Sequence, residues 1–272
     1  MKVFMTDNMK ARGVKPVFGD LNSLDAFAQA ARHADAVLHL AFIHDFTDYE
    51  GSCATETRVL DAINGALAGT GKTFVVTSGT AVVGDSGSTQ ATESASTMGA
   101  RAESSEAGAL KGVEQGVRAI VLRLPLYVYD ESFFCSGFVS IQVQAAQQAR
   151  AASYIGSGQQ QFSVVHVDDA AAAYLAALRH GPAGGIYNIA GEKGVTTKQL
   201  ATAVAQRLST ADFSMPVRGI SQEEAAGLYP GMLGHVFAMN NDVDTSKAKR
   251  ELQWEAKHTG GFVAAVANAK QA

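Results

Sequence analysis

Two hydroxyls flank a glycine in Ser78-Gly79-Thr80, directly after an apolar run. Hydroxyls so placed can hold a substrate oxygen; they can equally cap the backbone N–H groups of their own turn. His44, Asp45 and Asp48 set an imidazole beside two carboxylates. That combination can relay protons or bind a metal ion, although polar loops produce such spacing readily, and no metal site is expected. Tyr127 and Tyr129 follow a further apolar run, yet no lysine accompanies them to lower a phenol pKa. His39 lies inside an apolar run and is expected to be a satisfied core histidine. Cys53 and Cys135 lack metal-ligand spacing and cannot build a disulfide framework, which points to buried or idle thiols in a reducing compartment.

The elements that must position these groups alternate between strand and helix. Residues 36–42, 73–77 and 118–124 are near-continuous apolar stretches, as in strands of a parallel sheet covered on both faces. Residues 2–6 and 14–18 are two further strand candidates. After them, Leu24, Phe27, Ala28 and Ala31 recur at helical spacing over 23–32, with Asn22 or Ser23 as N-cap. Val59, Leu60, Ile63 and Leu67 mark a second helix over 56–67, and a third is expected over about 100–112. This order requires crossover connections, hence a parallel sheet with helices on both faces. Leu40, Ala41 and Phe42 close the first of the buried strands on the side where open α/β sheets bind ligands, and small Ala41 would let a ligand approach the backbone. The alternative for these residues is plain sheet core.

After Pro125 the pattern loosens. Helices are expected over 138–152, over 168–179 with Asp168 or Asp169 as cap, from Thr196 or Thr197 to Leu208, and over 245–252. Short strands are expected at 154–156, 162–167 and 186–189. The expected division is residues 1–130 as an α/β sheet domain and 131–272 as mainly a C-terminal lobe with segments returning to the sheet.

A chain of 272 residues with 47% hydrophobic and 18% charged content can bury a substantial core. Its net charge of −4 and the lack of a basic stripe argue against nucleic-acid binding. No apolar run reaches the ~18–20 residues that span a bilayer, and the N-terminus lacks a signal-peptide h-region. The expectation is therefore a cytoplasmic protein with a small-molecule substrate, without nucleic-acid or membrane partners and compatible with a homodimer.

One expected feature is missing. A strand opening such a fold normally runs into a glycine-rich turn that cradles a pyrophosphate on backbone N–H groups. Here residues 2–6 run into Asp7-Asn8-Met9-Lys10, and only Gly13 lies between Met1 and Val17.

Several segments, taken in order, resemble the extended short-chain dehydrogenase/reductase family, its nucleotide-sugar epimerase and dehydratase group. They are Gly19-Asp20-Leu21, Leu38-His39-Leu40-Ala41, the stretch from Thr77 to Gly84, Arg123-Leu124-Pro125, the stretch from His166 to Ala171, Gly185 to Ile189, and Ser246 to Trp254. The resemblance implies a Rossmann-like doubly wound α/β fold, shortened at the N-terminus by about one βαβ unit of ~30 residues, with a small C-terminal α+β lobe. A shortened isoform, a mispredicted gene and a real divergence all fit that difference.

The resemblance further implies NAD or NADP as cofactor, held by Asp20 and Leu21 at the adenine, by Leu40, Ala41 and Phe42, and by Pro125 beside the nicotinamide. It implies an oxidoreductase or epimerase/dehydratase acting on a small carbonyl or hydroxyl compound or a nucleotide sugar. The family's Tyr-x-x-x-Lys pair falls on Met98 and Ala102, neither of which transfers a proton. Its serine falls on Gly79, leaving Ser78 and Thr80 as the candidate catalytic hydroxyls. Arg101 stands next to Ala102 and offers positive charge without proton transfer. The competing expectation is a non-catalytic descendant that senses a ligand or binds a protein; a third is an incomplete product with an exposed sheet edge.

Overall fold

The computed structural model describes residues 15, 17, 19–130 and 137–269. The strand expected at 2–6, most of that expected at 14–18, Gly13 and Cys135 lie outside them.

Strands β1 (Ala36–His39), β2 (Thr73–Gly79), β3 (Arg118–Leu124) and β7 (Ile186–Asn188) form one sheet in the order β1-β2-β3-β7. Every neighbouring pair is parallel, with Val37 beside Phe74 and Val75 beside Ile120. The three apolar stretches near positions 37, 75 and 121 therefore lie side by side and point the same way. Side chains alternate between faces along each strand, and here both faces are covered. Phe74, Val76 and Val121 meet Val59, Leu60, Ile63 and Leu67 on one side. That side carries α1 (Leu24–His33), α2 (Tyr49–Leu67) and α3 (Gly108–Glu114). On the other side Val75, Ile120 and Leu122 meet Ala173, Ala177, Leu252 and Trp254 of α5 (Val167–His180), of α9 (Ser246–Leu252) and of the segment after it. Trp254 anchors there by donating its indole N–H to the Asp169 carbonyl at 3.0 Å.

The second layer is built around β4 (Tyr127–Tyr129), β6 (Gln161–His166) and β8 (Glu192–Thr196), parallel then antiparallel, with β5 (Ala152–Ile155) paired to β9 (Val217–Ile220). Helices α4 (Gly137–Ala149), α6 (Thr197–Leu208), α7 (Gln222–Leu228), α8 (Leu233–Val236) and α10 (Phe262–Asn268) complete it. Its core joins Tyr127, Phe162, Val164, Leu200, Val204 and Phe262. No helix among the described residues is long and apolar enough to cross a membrane.

Local chemistry moves several helix boundaries from their expected places. α2 begins at Tyr49, not Glu56, because the Asp48 carboxylate accepts the Gly51 N–H at 3.1 Å and starts the helix about two turns earlier. His166, rather than Asp168 or Asp169, caps α5 through its ring nitrogen, which accepts the Asp168 N–H at 3.2 Å. Asp169 is buried and turns away to accept the Lys257 and His258 N–H groups. Thr196 closes a capping box with Gln199. The helix expected over 100–112 widens into a π-helix at Ala102–Ala107 before α3.

Candidate active site at the carboxyl edge of the sheet

Because the four strands are parallel, their carboxyl ends share one edge, the usual crevice of an open α/β sheet. At that edge Leu40 is 59% exposed, Ala41 is exposed and Phe42 is half-buried. Only Ala34 and Asp35 separate α1 from β1, so the helix runs back along the sheet and its N-terminus lies at the same edge. Asp20 and Leu21 precede that N-terminus. The Asp20 carboxylate accepts the Asn22 N–H at 2.9 Å and the Ser23 hydroxyl at 3.1 Å, and these bonds hold its pKa below the ordinary value. Leu21 packs against the α1–α2 cluster, and Pro125 is buried at the end of β3.

The two candidate hydroxyls are turned inward. Ser78 is 2% exposed and donates to Glu106 Oε1 at 2.9 Å, while receiving the Ser105 hydroxyl at 3.2 Å. Thr80 is fully buried and donates to Asn241 Oδ1 at 2.5 Å. Asn241 in turn donates to the Thr80 and Gly84 carbonyls, so the turn after β2 is pinned by a residue near the end of the chain. Tyr127 accepts from Gln142 at 2.6 Å and Tyr129 donates to the Gly260 carbonyl at 3.0 Å. Both belong to the second-layer core, and burial pushes the Tyr127 phenol pKa up. Met98 is exposed, with its thioether against Gly84, and Ala102 is buried.

What occupies the floor of the edge is Arg101. Its guanidinium carbon lies 3.6 Å from the Phe42 ring centroid, its Nη1 lies 2.9 Å from Glu56 Oε2, and its Nη2 donates to the Thr77 carbonyl at 3.0 Å. Ser104 donates to the same Glu56 oxygen at 2.7 Å. The other Glu56 oxygen has no hydrogen-bond partner and faces His39 Nε2, also unpartnered, across 3.8 Å. Burial raises the Glu56 pKa against the pull of Arg101, and burial, helped by Arg101, holds His39 down to about 4. His39 is thus buried as expected, but its polar atom is not satisfied.

Glu56 is the group the spacing analysis passed over. It stands at the head of the stripe Val59, Leu60, Ile63, Leu67, and a carboxylate on the apolar face of a helix signals a buried partner. Its pairing with Arg101, distant in sequence, has no local signature.

His44, Asp45 and Asp48 do not converge. Asp45 accepts from the Thr47 N–H and hydroxyl at 2.9 and 2.6 Å, Asp48 caps α2, and His44 joins an aromatic set. In that set His44 lies 5.2 Å from Phe42, 6.0 Å from Phe46 and 5.8 Å from Phe138. Elsewhere His166, Asp168 and His258 bring ligand atoms within 4.8 Å of one another. The two imidazoles there are stacked with centroids 4.0 Å apart, so their in-plane lone pairs do not point at one centre.

Residues 5–190 match the model of the NAD dependent epimerase/dehydratase family. An uncharacterized protein of Schizosaccharomyces pombe is 32% identical over 253 residues, 92% of this chain and 83% of that one. Among solved structures, a dTDP-glucose 4,6-dehydratase from Streptomyces venezuelae, with NAD and TYD bound, superposes with a TM-score of 0.72 at 21% identity, covering 94% of this chain and 78% of that one. A UDP-glucose 4-epimerase from Thermotoga maritima gives 0.70 at 17%, covering 98% and 88%.

Proposed function

The chain belongs to the NAD dependent epimerase/dehydratase family, and on that footing we propose that it binds NAD or NADP at the carboxyl edge of its sheet and acts as an oxidoreductase or epimerase/dehydratase-like protein. The substrate would be a small carbonyl or hydroxyl compound or a nucleotide sugar, held between the sheet part (residues 1–130) and the lobe that makes up most of 131–272. The observation that carries this reading is the open ledge at Leu40 and Ala41, on the carboxyl edge of an all-parallel sheet.

The described residues fit the adenosine half of a dinucleotide. A methyl side chain at Ala41 leaves room for a ribose against the backbone, and Asp20 and Leu21 offer an acceptor and an apolar wall. Phe42 and Pro125 would border the nicotinamide end. No phosphate-cradling turn lies among the described residues. A bound nicotinamide would supply or take a hydride; the chain's own part is to orient the substrate and hold its oxygen. Ser78 and Thr80 would serve only if they release Glu106 and Asn241.

Fluorescence titration of the full chain with NADH and NADPH tests the reading. Saturable binding below ~1 mM, weakened by Ala41→Leu, supports it; no saturation by that concentration overturns it.

The inward hydroxyls of Ser78 and Thr80, with Met98 and Ala102 at the Tyr and Lys positions, favour a second reading: a ligand-binding descendant without turnover. Cofactor oxidation with any of a panel of aldehydes, ketones and nucleotide sugars would remove it.

A further inference from the structure

Aromatic rings from both layers meet over the Arg101 floor. Phe42, His44 and Phe46 come from the loop after β1, Tyr49 from the first turn of α2 and Phe138 from the first turn of α4. Phe42 meets Tyr49 edge-on at 5.8 Å, Phe46 stacks on Tyr49 at 6.2 Å and tilts against Phe138 at 5.7 Å. Phe138 continues into the lobe through Phe237 at 6.2 Å. The patch therefore bridges sheet and lobe. Its rim is apolar as well: Leu40, Ile43 and Met98 all stand exposed near this edge.

Among the described residues, the cation on the floor, Arg101, carries no surplus charge. Glu56 neutralises Arg101 at 2.9 Å, so a diphosphate would find no unpaired positive group in it. A guanidinium has five N–H donors, and the Glu56 and Thr77 contacts leave donors over. Its Nη1, though buried, makes no hydrogen bond, and 13% of the Arg101 side chain stays accessible. Stacking on Phe42 and the buried pair fix the group in place before any ligand arrives, which removes the ordering cost of a flexible side chain.

Resting on the reading above that substrate enters at this edge, we propose that the site takes a small, planar, uncharged carbonyl compound, an aromatic aldehyde or ketone. Its ring lies against the accessible sides of His44, Phe42, Phe46, Tyr49 and Phe138, and its oxygen accepts a hydrogen bond from Arg101. Aromatic contact supplies affinity by ring packing, and the guanidinium supplies orientation.

The test uses acetophenone as probe and UDP-glucose as comparator, followed by saturation-transfer NMR on the full chain, with NADH affinity measured separately by fluorescence. Acetophenone is expected to bind saturably and UDP-glucose not to displace it. Phe46→Ala should weaken acetophenone binding about fivefold. The paired change Arg101→Gln with Glu56→Gln, which removes both buried charges together, should weaken it about tenfold. NADH affinity should stay within about twofold in Phe46→Ala, since a ring lost from the substrate side alone leaves the cofactor ledge intact. If the double variant fails to fold, Phe46→Ala decides alone. Displacement by UDP-glucose, absence of acetophenone binding while NADH binds, or wild-type acetophenone affinity in Phe46→Ala would each overturn the proposal. Acetophenone binding without NADH binding would sustain it and remove the cofactor reading instead.

Discussion

Glu106 receives Arg123 Nε at 2.7 Å and Nη2 at 2.8 Å, a two-pronged pair closed away from water between the π-helix and β3. Ser78 donates to the same carboxylate, so the pair ties β2, β3 and the π-helix at one point. Removing one partner strands a buried charge. Glu106→Ala is expected to cost about 3–5 kcal/mol, read as a lower urea midpoint. Replacing both partners, as Arg123→Met with Glu106→Leu, should recover most of that loss. Equal loss in the single and double variants would contradict the account.

His39 makes stability depend on pH. Its folded pKa of about 4 lies below the ordinary 6.5, so between those values the unfolded chain binds more protons. Stability from this group is therefore complete above 6.5 and is lost as pH falls toward 4, by on the order of 3 kcal/mol. Glu56 works in the opposite sense: its raised pKa gives stability on the acid side that fades as pH rises through it. Urea midpoints at about pH 4.5 and pH 7 should diverge less in His39→Leu than in the wild type; an unchanged pH slope would count against a neutral buried imidazole.

The reciprocal cap between Thr196 and Gln199 starts α6, which packs Leu200 and Val204 into the lobe core. Thr196→Ala leaves the Gln199 N–H without its acceptor and should cost about 1 kcal/mol. A thermal melt should fall by about 2–4 °C, whereas no shift would show that water replaces the cap.

Two nearby glycines, one in a turn and one in a helix, should respond with opposite signs. Gly231 has φ +53°, and a Cβ there would strike the Phe46 carbonyl oxygen. Gly227 lies in α7 with open space around it. Gly231→Ala should destabilise by about 1–3 kcal/mol and loosen the aromatic loop that Phe46 anchors. Gly227→Ala should stabilise by about 0.5–1 kcal/mol. Calorimetric melts of both variants check the pair of signs.

The sheet was legible because residues 73–79 and 118–124 are almost wholly buried strands and 36–39 a half-buried one, and cover on two faces writes itself as near-continuous apolar runs. The lobe was less so. β8 has the sequence Glu-Lys-Gly-Val-Thr and is a strand only because β6 pairs with it; β4 is three residues long. Ser78 and Thr80 could be located at a strand end, but which way their hydroxyls turn depends on Glu106 and Asn241, 28 and 161 positions away. Arg101 was visible as a charge beside the vacant Lys position. That it would lie on Phe42 and pair with Glu56 follows from how the π-helix, α2 and the loop after β1 dock, which no spacing rule encodes.

The contact between Thr80 and Asn241 has a consequence for biosynthesis. A ribosome delivers all four strands of the parallel sheet, the last of which ends at Asn188, before Asn241 has been added. Until then the segment from Thr80 to Gly84 lacks the amide that fastens it, so the central strands can assemble while the rim at their carboxyl edge stays unformed. Maturation of the rim is thereby deferred until the segment carrying Asn241 has been made.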